Sequence, residues 1–184
     1  MRLPGILIVM TVLAAAAVFA ADVPRPSPDF VITMLDGKKV NVAEYRGKVV
    51  ALEILLTGCP HCQQASRTLS KLYQEYRPKG LQALGAAMNP DARENIPRFI
   101  SENNVNFPVG IVSRDAAYAY LQQSIMAPLQ MPQLVFIDRK GVIRGQYGGT
   151  SPFFQDEEKN MRAMIEKLLN ESAPSESTTK KRSK

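Results

Sequence analysis

The chain has no tryptophan, one histidine and two cysteines in 184 residues. Each shortage removes a class of function. Two cysteines cannot build a structural disulfide framework, and with no second cysteine pair the four ligands of a zinc knuckle are missing. Haem attachment through C-x-x-C-H is excluded because Gln63 follows Cys62. The single histidine, His61, would need further ligands to hold a metal. No lipobox cysteine is present. A strong charge of one sign is also missing. The net charge is +6, but Arg2 and residues 171–184 hold three of those units, so the remainder near +3 shows no nucleic-acid footprint. Apolar content of 45% and a charged fraction of 22% suit one compact domain with terminal segments rather than a disordered chain. No internal repeat is evident.

What is present is Cys59-Pro60-His61-Cys62, which gathers both cysteines and the only histidine into four residues. A C-x-x-C at a helix start can close a small disulfide and reopen it. The alternative, a purely structural bridge, closes almost no loop and so stabilises little. Cys59 lies where an apolar strand run ends and a helix begins, so backbone N–H groups and the helix dipole favour its thiolate. Pro60 suits the first helical position, because the N–H it lacks would be unpaired there. His61, if protonated, adds a positive partner, and a cation here stabilises the reduced form, which makes the disulfide a stronger oxidant. The bland reading of His61 is an exposed helix residue without a role. Cys62, one turn further in, faces the core and stays protonated until it resolves a mixed disulfide.

The remaining pattern is α/β. The N terminus reads as a targeting segment: Arg2, an uncharged apolar stretch over residues 3–21, and Val18-Phe19-Ala20 with small residues at a cleavage site after Ala20. The alternative is an uncleaved anchor, since the stretch is just long enough to span a membrane. Either way the domain faces an extracytoplasmic, oxidising space. Residues 21–29, with Pro24, Pro26 and Pro28, read as an extended linker. The domain spans residues 30–170, and residues 171–184 form a disordered basic tail.

Within the domain a hairpin turns at Asp36-Gly37, and Asn41 with Glu44 has capping-box spacing. Residues 49–56 form a nearly unbroken apolar run, the pattern of a strand buried on both faces. From Cys62 the period becomes helical through Ser66, Leu69, Leu72, Tyr73 and Tyr76, and Pro78 and Gly80 stop the helix. A strand follows over residues 81–88, and the next helix opens at Asn89-Pro90 or at Asn95-Ile96-Pro97. Residues 108–112 read as a short strand, and Asp115 caps a helix carrying Tyr118 and Leu121. Residues 133–137 and 142–147 are strands about the turn Asp138-Arg139-Lys140-Gly141. A last helix aligns Met161, Met164, Ile165 and Leu168. This order requires a mixed sheet with helices on both faces.

Two residues break the pattern. Glu53 interrupts the apolar run, where a carboxylate is desolvated unless paired or protonated. Six residues before Cys59, it can exchange a proton with Cys62. The bland reading is an edge-strand or salt-bridged glutamate. Pro132, at a strand entrance, is either a cis proline or an ordinary trans proline opening the strand.

Taken in order, Cys59-Pro60-His61-Cys62 after a buried strand, Pro132 before the next-to-last strand, and Ile137-Asp138-Arg139-Lys140-Gly141-Val142-Ile143 resemble the thioredoxin superfamily. Pro28-Asp29-Phe30, Leu35-Asp36-Gly37-Lys38 and Tyr45-Arg46-Gly47-Lys48-Val49-Val50 resemble its TlpA/ResA branch of extracytoplasmic thiol–disulfide oxidoreductases. The resemblance implies a thioredoxin-like fold with an added N-terminal hairpin, Cys59 as nucleophile, Cys62 as resolving thiol and Pro132 cis beside them. It implies that the Met131 backbone is free to pair with an extended substrate peptide. The Pro60-His61 pair is similar to that of the oxidising DsbA proteins, and Glu53 matches the buried acid of thioredoxin and DsbA. Two positions depart from the family: Gly58 stands where Trp is usual, and Met131 replaces Thr or Val, so a flexible thioether flanks the proline. Leu56 stands where a peroxiredoxin needs Thr, which argues against peroxidase activity.

The expected activity is thiol–disulfide exchange on protein cysteines, without cofactor or resident metal. A separate redox partner recharges the site, and membrane attachment is possible through an uncleaved anchor. The TlpA/ResA likeness implies a reductase, for instance in cytochrome c maturation. The alternatives are a DsbA-like disulfide donor and a metallochaperone holding Cu(I) between Cys59 and Cys62, with Met131 as a further ligand. A scaffold module on the same fold is a third.

Overall fold

The computed structural model describes residues 22–171. The expected signal peptide or anchor over residues 1–20 and the tail beyond Glu171 lie outside the described residues. Eight strands form one mixed sheet: β1 (Arg25–Pro26), β2 (Val31–Thr33), β3 (Lys39–Asn41), β4 (Val49–Leu55), β5 (Leu81–Ala87), β6 (Val109–Ile111), β7 (Gln133–Ile137) and β8 (Val142–Gly148). Their order is β1-β8-β7-β4-β5-β6-β2-β3. The apolar run becomes β4, buried at all seven positions. It pairs parallel with β5 and antiparallel with β7. Four helices complete the domain: α1 (Pro60–Tyr76), α2 (Ala92–Glu102), α3 (Arg114–Leu121) and α4 (Glu157–Asn170).

The strand period of two sorts β4 between two cores. Val49, Ala51 and Leu55 pack with Leu69 and Leu72 of α1, Ile96 of α2 and Ile165 of α4. Val50, Leu52 and Ile54 pack on the other face with Ala117 and Leu121 of α3 and with Phe30 and Ile32 of the N-terminal hairpin. The sheet is therefore covered on both sides, as its central apolar strands require. Glu53 shares the face of Val49, Ala51 and Leu55, so its side chain enters the core beneath α1.

The hairpin turn lies at Gly37, whose φ of 85° is one that glycine adopts freely. Asn41 and Glu44 close a capping box on a 3-10 turn, Val42–Tyr45. Two local expectations are corrected and one open choice is decided. The stretch read as a linker contributes β1, which pairs with β8, and Arg25 is buried there with its guanidinium donating to the Tyr120 carbonyl and Gln146. Helix α2 begins after Asn89-Pro90 and carries Pro97 inside it. Pro97 is on the exposed face, where water can take the carbonyl its missing N–H leaves free. Ser113, not Asp115, caps α3, its hydroxyl accepting from the Ala116 N–H at 3.2 Å. No helix among the described residues is long and apolar enough to cross a membrane.

Candidate active site at the start of helix α1

Strand β4 delivers the chain to Leu56-Thr57-Gly58, and a short network fixes that connection. The Thr57 N–H donates to Asn89 Oδ1 at 3.0 Å, Gln63 Nε2 donates to the Thr57 carbonyl at 3.1 Å, and the Cys59 N–H donates to the Leu56 carbonyl at 3.1 Å. Cys59 then occupies the N-cap of α1 with extended backbone (φ −85°, ψ 119°), and Pro60 takes the first helical position. The Cys59 Sγ accepts from the Cys62 N–H at 3.4 Å. A sulfur in this role sits where a helix supplies positive potential.

The two thiols differ in environment. Both are free; Cys59 is partly accessible and Cys62 is fully buried. Burial pushes the Cys62 thiol far up from its ordinary value, a backbone hydrogen bond at Leu56 opposes this, and the hydrogen bond with Cys59 and the charge of Glu53 add to it. Cys62 thus holds its proton, while Cys59 is the sulfur a partner can reach. His61 and Gly58 are exposed beside Cys59. A Cβ built on Gly58 would meet nothing within 4 Å, so no steric demand of the fold requires glycine there. Gly58 and Cys59 line an open groove of about 530 Å³ whose far wall is α2, with Asn95, Arg98 and Phe99.

Glu53 is completely buried on a central strand, between Gly85 of β5 and Leu134 of β7. That geometry removes the edge-strand reading, and no ion pair among the described residues reaches it. Ser66, one turn beyond Cys62 on α1, donates its hydroxyl to Glu53 Oε2 at 2.6 Å. Glu53 Oε1 has no hydrogen-bond partner. Burial raises its ionisation from 4.5 to about 8; the Ser66 bond pulls down, and the charge of Glu157 pushes further up. A carboxyl that titrates near neutrality and acts electrostatically on Cys62 can take or return a proton.

The Met131–Pro132 bond is cis, at the entrance to β7. Pro132 is buried, and Met131 packs against the same apolar cluster that Cys59 and Cys62 join. The sequence reading missed what lies under this loop. A Cβ on Gly149 would stand 2.1 Å from the Met131 carbonyl oxygen, so only glycine lets the end of β8 pass so close. It also missed Ser66 and Glu157. Ser66 had a signal, a hydroxyl on the buried helical stripe four residues after Cys62, whereas Glu157 had none.

The profile of the Redoxin family matches residues 23–165. The chain belongs to the Redoxin family. Among curated proteins this redoxin is similar to the thiol-disulfide oxidoreductase ResA of Bacillus thuringiensis subsp. konkukian, at 28% identity over 138 residues, 74% of this chain and 76% of the relative. ResA of Geobacillus thermodenitrificans is 28% identical over 131 residues, covering 71% and 72%. Two solved structures share the fold. One is a thioredoxin-family thiol:disulfide interchange protein from Chlorobium tepidum, with TM-score 0.66, 20% identity and coverage of 82% of this chain and 99% of that one. The other is a secreted Mycobacterium tuberculosis disulfide oxidoreductase homologous to DsbE, with TM-score 0.60, 22% identity and coverage of 76% and 96%. The redoxin has the thioredoxin-like α/β fold and is a thiol–disulfide oxidoreductase of the TlpA/ResA type.

Proposed function

We propose that this redoxin reduces disulfides of extracytoplasmic proteins, with Cys59 as nucleophile and Cys62 as resolving thiol. The contrast between the two sulfurs carries this reading: Cys59 is accessible at a helix N-cap, and Cys62 is buried and protonated. The Cys59 thiolate attacks one sulfur of a substrate disulfide. A Cys59–substrate bond forms and the other substrate sulfur leaves as thiolate. Cys62 passes its proton to the Glu53 carboxylate and attacks Cys59 Sγ. The second substrate thiolate departs, the Cys59–Cys62 disulfide closes, and two electrons have passed to the substrate. A dithiol partner then restores both thiols by the reverse exchange. When Cys62 leaves as thiolate in that step, protonated Glu53 returns its proton.

Pro60 and His61 shape the helix start, Gly58 opens the approach, and Met131-Pro132 offers backbone to an extended peptide. The apolar segment over residues 3–21 supports export, as a cleaved signal or an anchor, and the secreted Mycobacterium structural neighbour agrees with an outward-facing location. Relatives named ResA support the reductive direction, and cytochrome c maturation is a pathway consistent with it.

The test is the reduction potential of the Cys59–Cys62 couple against glutathione. A value near about −270 mV or below establishes a reductase, and a value near about −120 mV overturns that direction in favour of disulfide donation.

A further inference from the structure

Glu157 takes no part in the exchange described above, yet it is built into the same region. It is the first residue of α4, and its Oε1 is buried with no hydrogen-bond partner, as is Oε1 of Glu53. Glu53 is the fully buried member of this pair. The charges and dipoles around Glu157 come from two elements besides its own. Helix α1 presents His61, Arg67 and Thr68, and β4 presents Glu53. On α4 the neighbouring Glu158 is already bound to Lys71 and Arg162.

Helical geometry explains the placement. His61 and Thr68 are seven residues apart and share one face of α1, toward α4. Ser66 lies on the adjoining buried face and holds Glu53. Glu157 stands four and eight residues before Met161 and Ile165, both fully buried in the core cluster that includes Cys62, Ala65 and Leu69, so it lies on the core-facing stripe of α4, over the face of β4 that carries Glu53, with His61 at the exposed end of the facing stripe of α1. Further along, the seam between α1 and α4 is closed by ion pairs of Lys71 with Glu158 and of Arg162 with Glu75. Two carboxyl groups that interact in a poorly solvated seam do not titrate independently, because the charge on one raises the cost of charging the other.

We propose that Glu157 is a positioning residue of the redox site: its carboxylate, on the core-facing stripe of α4, adds to the burial that keeps the proton on Glu53 and so tunes the exchange of that proton with Cys62. His61 and Arg67 oppose the burial of Glu157 and favour its charged form, so the exposed surface beside Cys59 is linked to the acid behind Cys62. Burial is what raises Glu157 itself, and the Thr68 hydroxyl, Arg67 and His61 hold it down. This inference rests on the reading of Glu53 as the proton partner of Cys62.

The experiment uses the full reduced chain with its glutamate carboxyl carbons labelled with 13C. The Glu53 resonance is identified by its loss in Glu53→Gln. Its titration is followed in the parent protein, Glu157→Gln and Glu157→Asp, beside the pH profile of the single-turnover step in which Cys62 displaces a bound thiol. Glu157→Gln keeps the shape and removes the charge. The Glu53 midpoint should fall by about one pH unit, the rising limb of the rate should move with it, and Glu157→Asp should restore both. At a fixed pH below the midpoint the charge-free variant should therefore resolve about tenfold faster. A purely structural role for Glu157 moves neither midpoint nor limb. An unmoved midpoint overturns the inference and leaves the role of Glu53 standing, provided Glu53→Gln abolishes the limb. A midpoint that moves while Glu53→Gln keeps the limb overturns the proton role of Glu53, and with it any redox role for Glu157.

Discussion

Cys59 and Cys62 are three residues apart and chemically unlike, and the difference is positional. One sulfur caps a helix at the protein surface; the other has no contact with water and keeps its proton. Cys59→Ser should abolish turnover, whereas Cys62→Ser should leave the attack intact and trap Cys59-linked mixed disulfides with partner proteins. Non-reducing electrophoresis reads both, and a Cys62→Ser protein without adducts would sink the assignment of Cys62 as resolving thiol. Gly149 acts at the same scale by having no side chain. Gly149→Ala forces either the end of β8 or the Met131 carbonyl to move. Overpacking of this kind costs about 1–3 kcal/mol, and a displacement of the Met131 loop should slow exchange with a protein disulfide by about tenfold or more. Exchange with glutathione disulfide, which needs no extended backbone partner, should fall much less. Equal loss on both substrates would show that the loop does not bind peptide.

At the scale of elements, function rests on the passage from β4 through three residues into α1, with α2 forming the opposite wall of the groove. Much of this was legible. An apolar run of strand length followed by a period-three-to-four stripe gives β4 and α1, and one carboxylate in that run marks Glu53, because burying a charge is costly enough to need a reason. The start of α2 was not decided by local signals, since Asn-Pro and a second proline offered two openings. Tertiary contacts chose between them: Asn89 is tied to Thr57 in the loop before Cys59, and Ile96 and Phe99 are buried in the core. Glu157 and Gly149 were illegible for a different reason. Their meaning depends on what a distant part of the chain brings against them, and no local pattern encodes that. The groove gives a prediction at this scale. Space beside Gly58 is open, so Gly58→Trp should fold with a melting temperature close to the parent's. The indole would narrow the approach to Cys59 between α1 and α2. Reduction of folded protein disulfides should then fall at least severalfold relative to a short disulfide peptide. An unchanged ratio would mean that partners do not approach through this groove.

For the whole molecule, the buried acid proposed to serve exchange is also a liability, because the folded state holds the Glu53 proton more tightly than the unfolded chain does. Between its ordinary value of 4.5 and its folded value of about 8, the native protein is protonated there and the unfolded chain is not. Stability therefore depends on the bound proton. The contribution is complete below about 4.5 and is lost as pH rises through about 8. Each pH unit inside that window is worth about 1.4 kcal/mol, so the decline across it amounts to a few kcal/mol. Cys62 has the same sign but acts at higher pH, above the ordinary thiol range. Glu75, Asp91 and Glu158 have the opposite sign, their carboxylates being held down by Arg162, Asn89 and Lys71 respectively, and their contributions are lost as pH falls below the ordinary carboxylate range. All three reach solvent and are screened, so they do not offset Glu53 near neutrality. The reduced protein should accordingly lose stability from pH 5 to pH 8.5, measured by urea unfolding midpoints under reducing conditions. Glu53→Gln is neutral at every pH and should flatten that slope, crossing the parent's curve so that the variant is the more stable protein at pH 8.5. Parallel curves for the two proteins would mean that Glu53 does not hold its proton in the folded state, and the buried carboxyl could not then serve as the acid that returns a proton to Cys62.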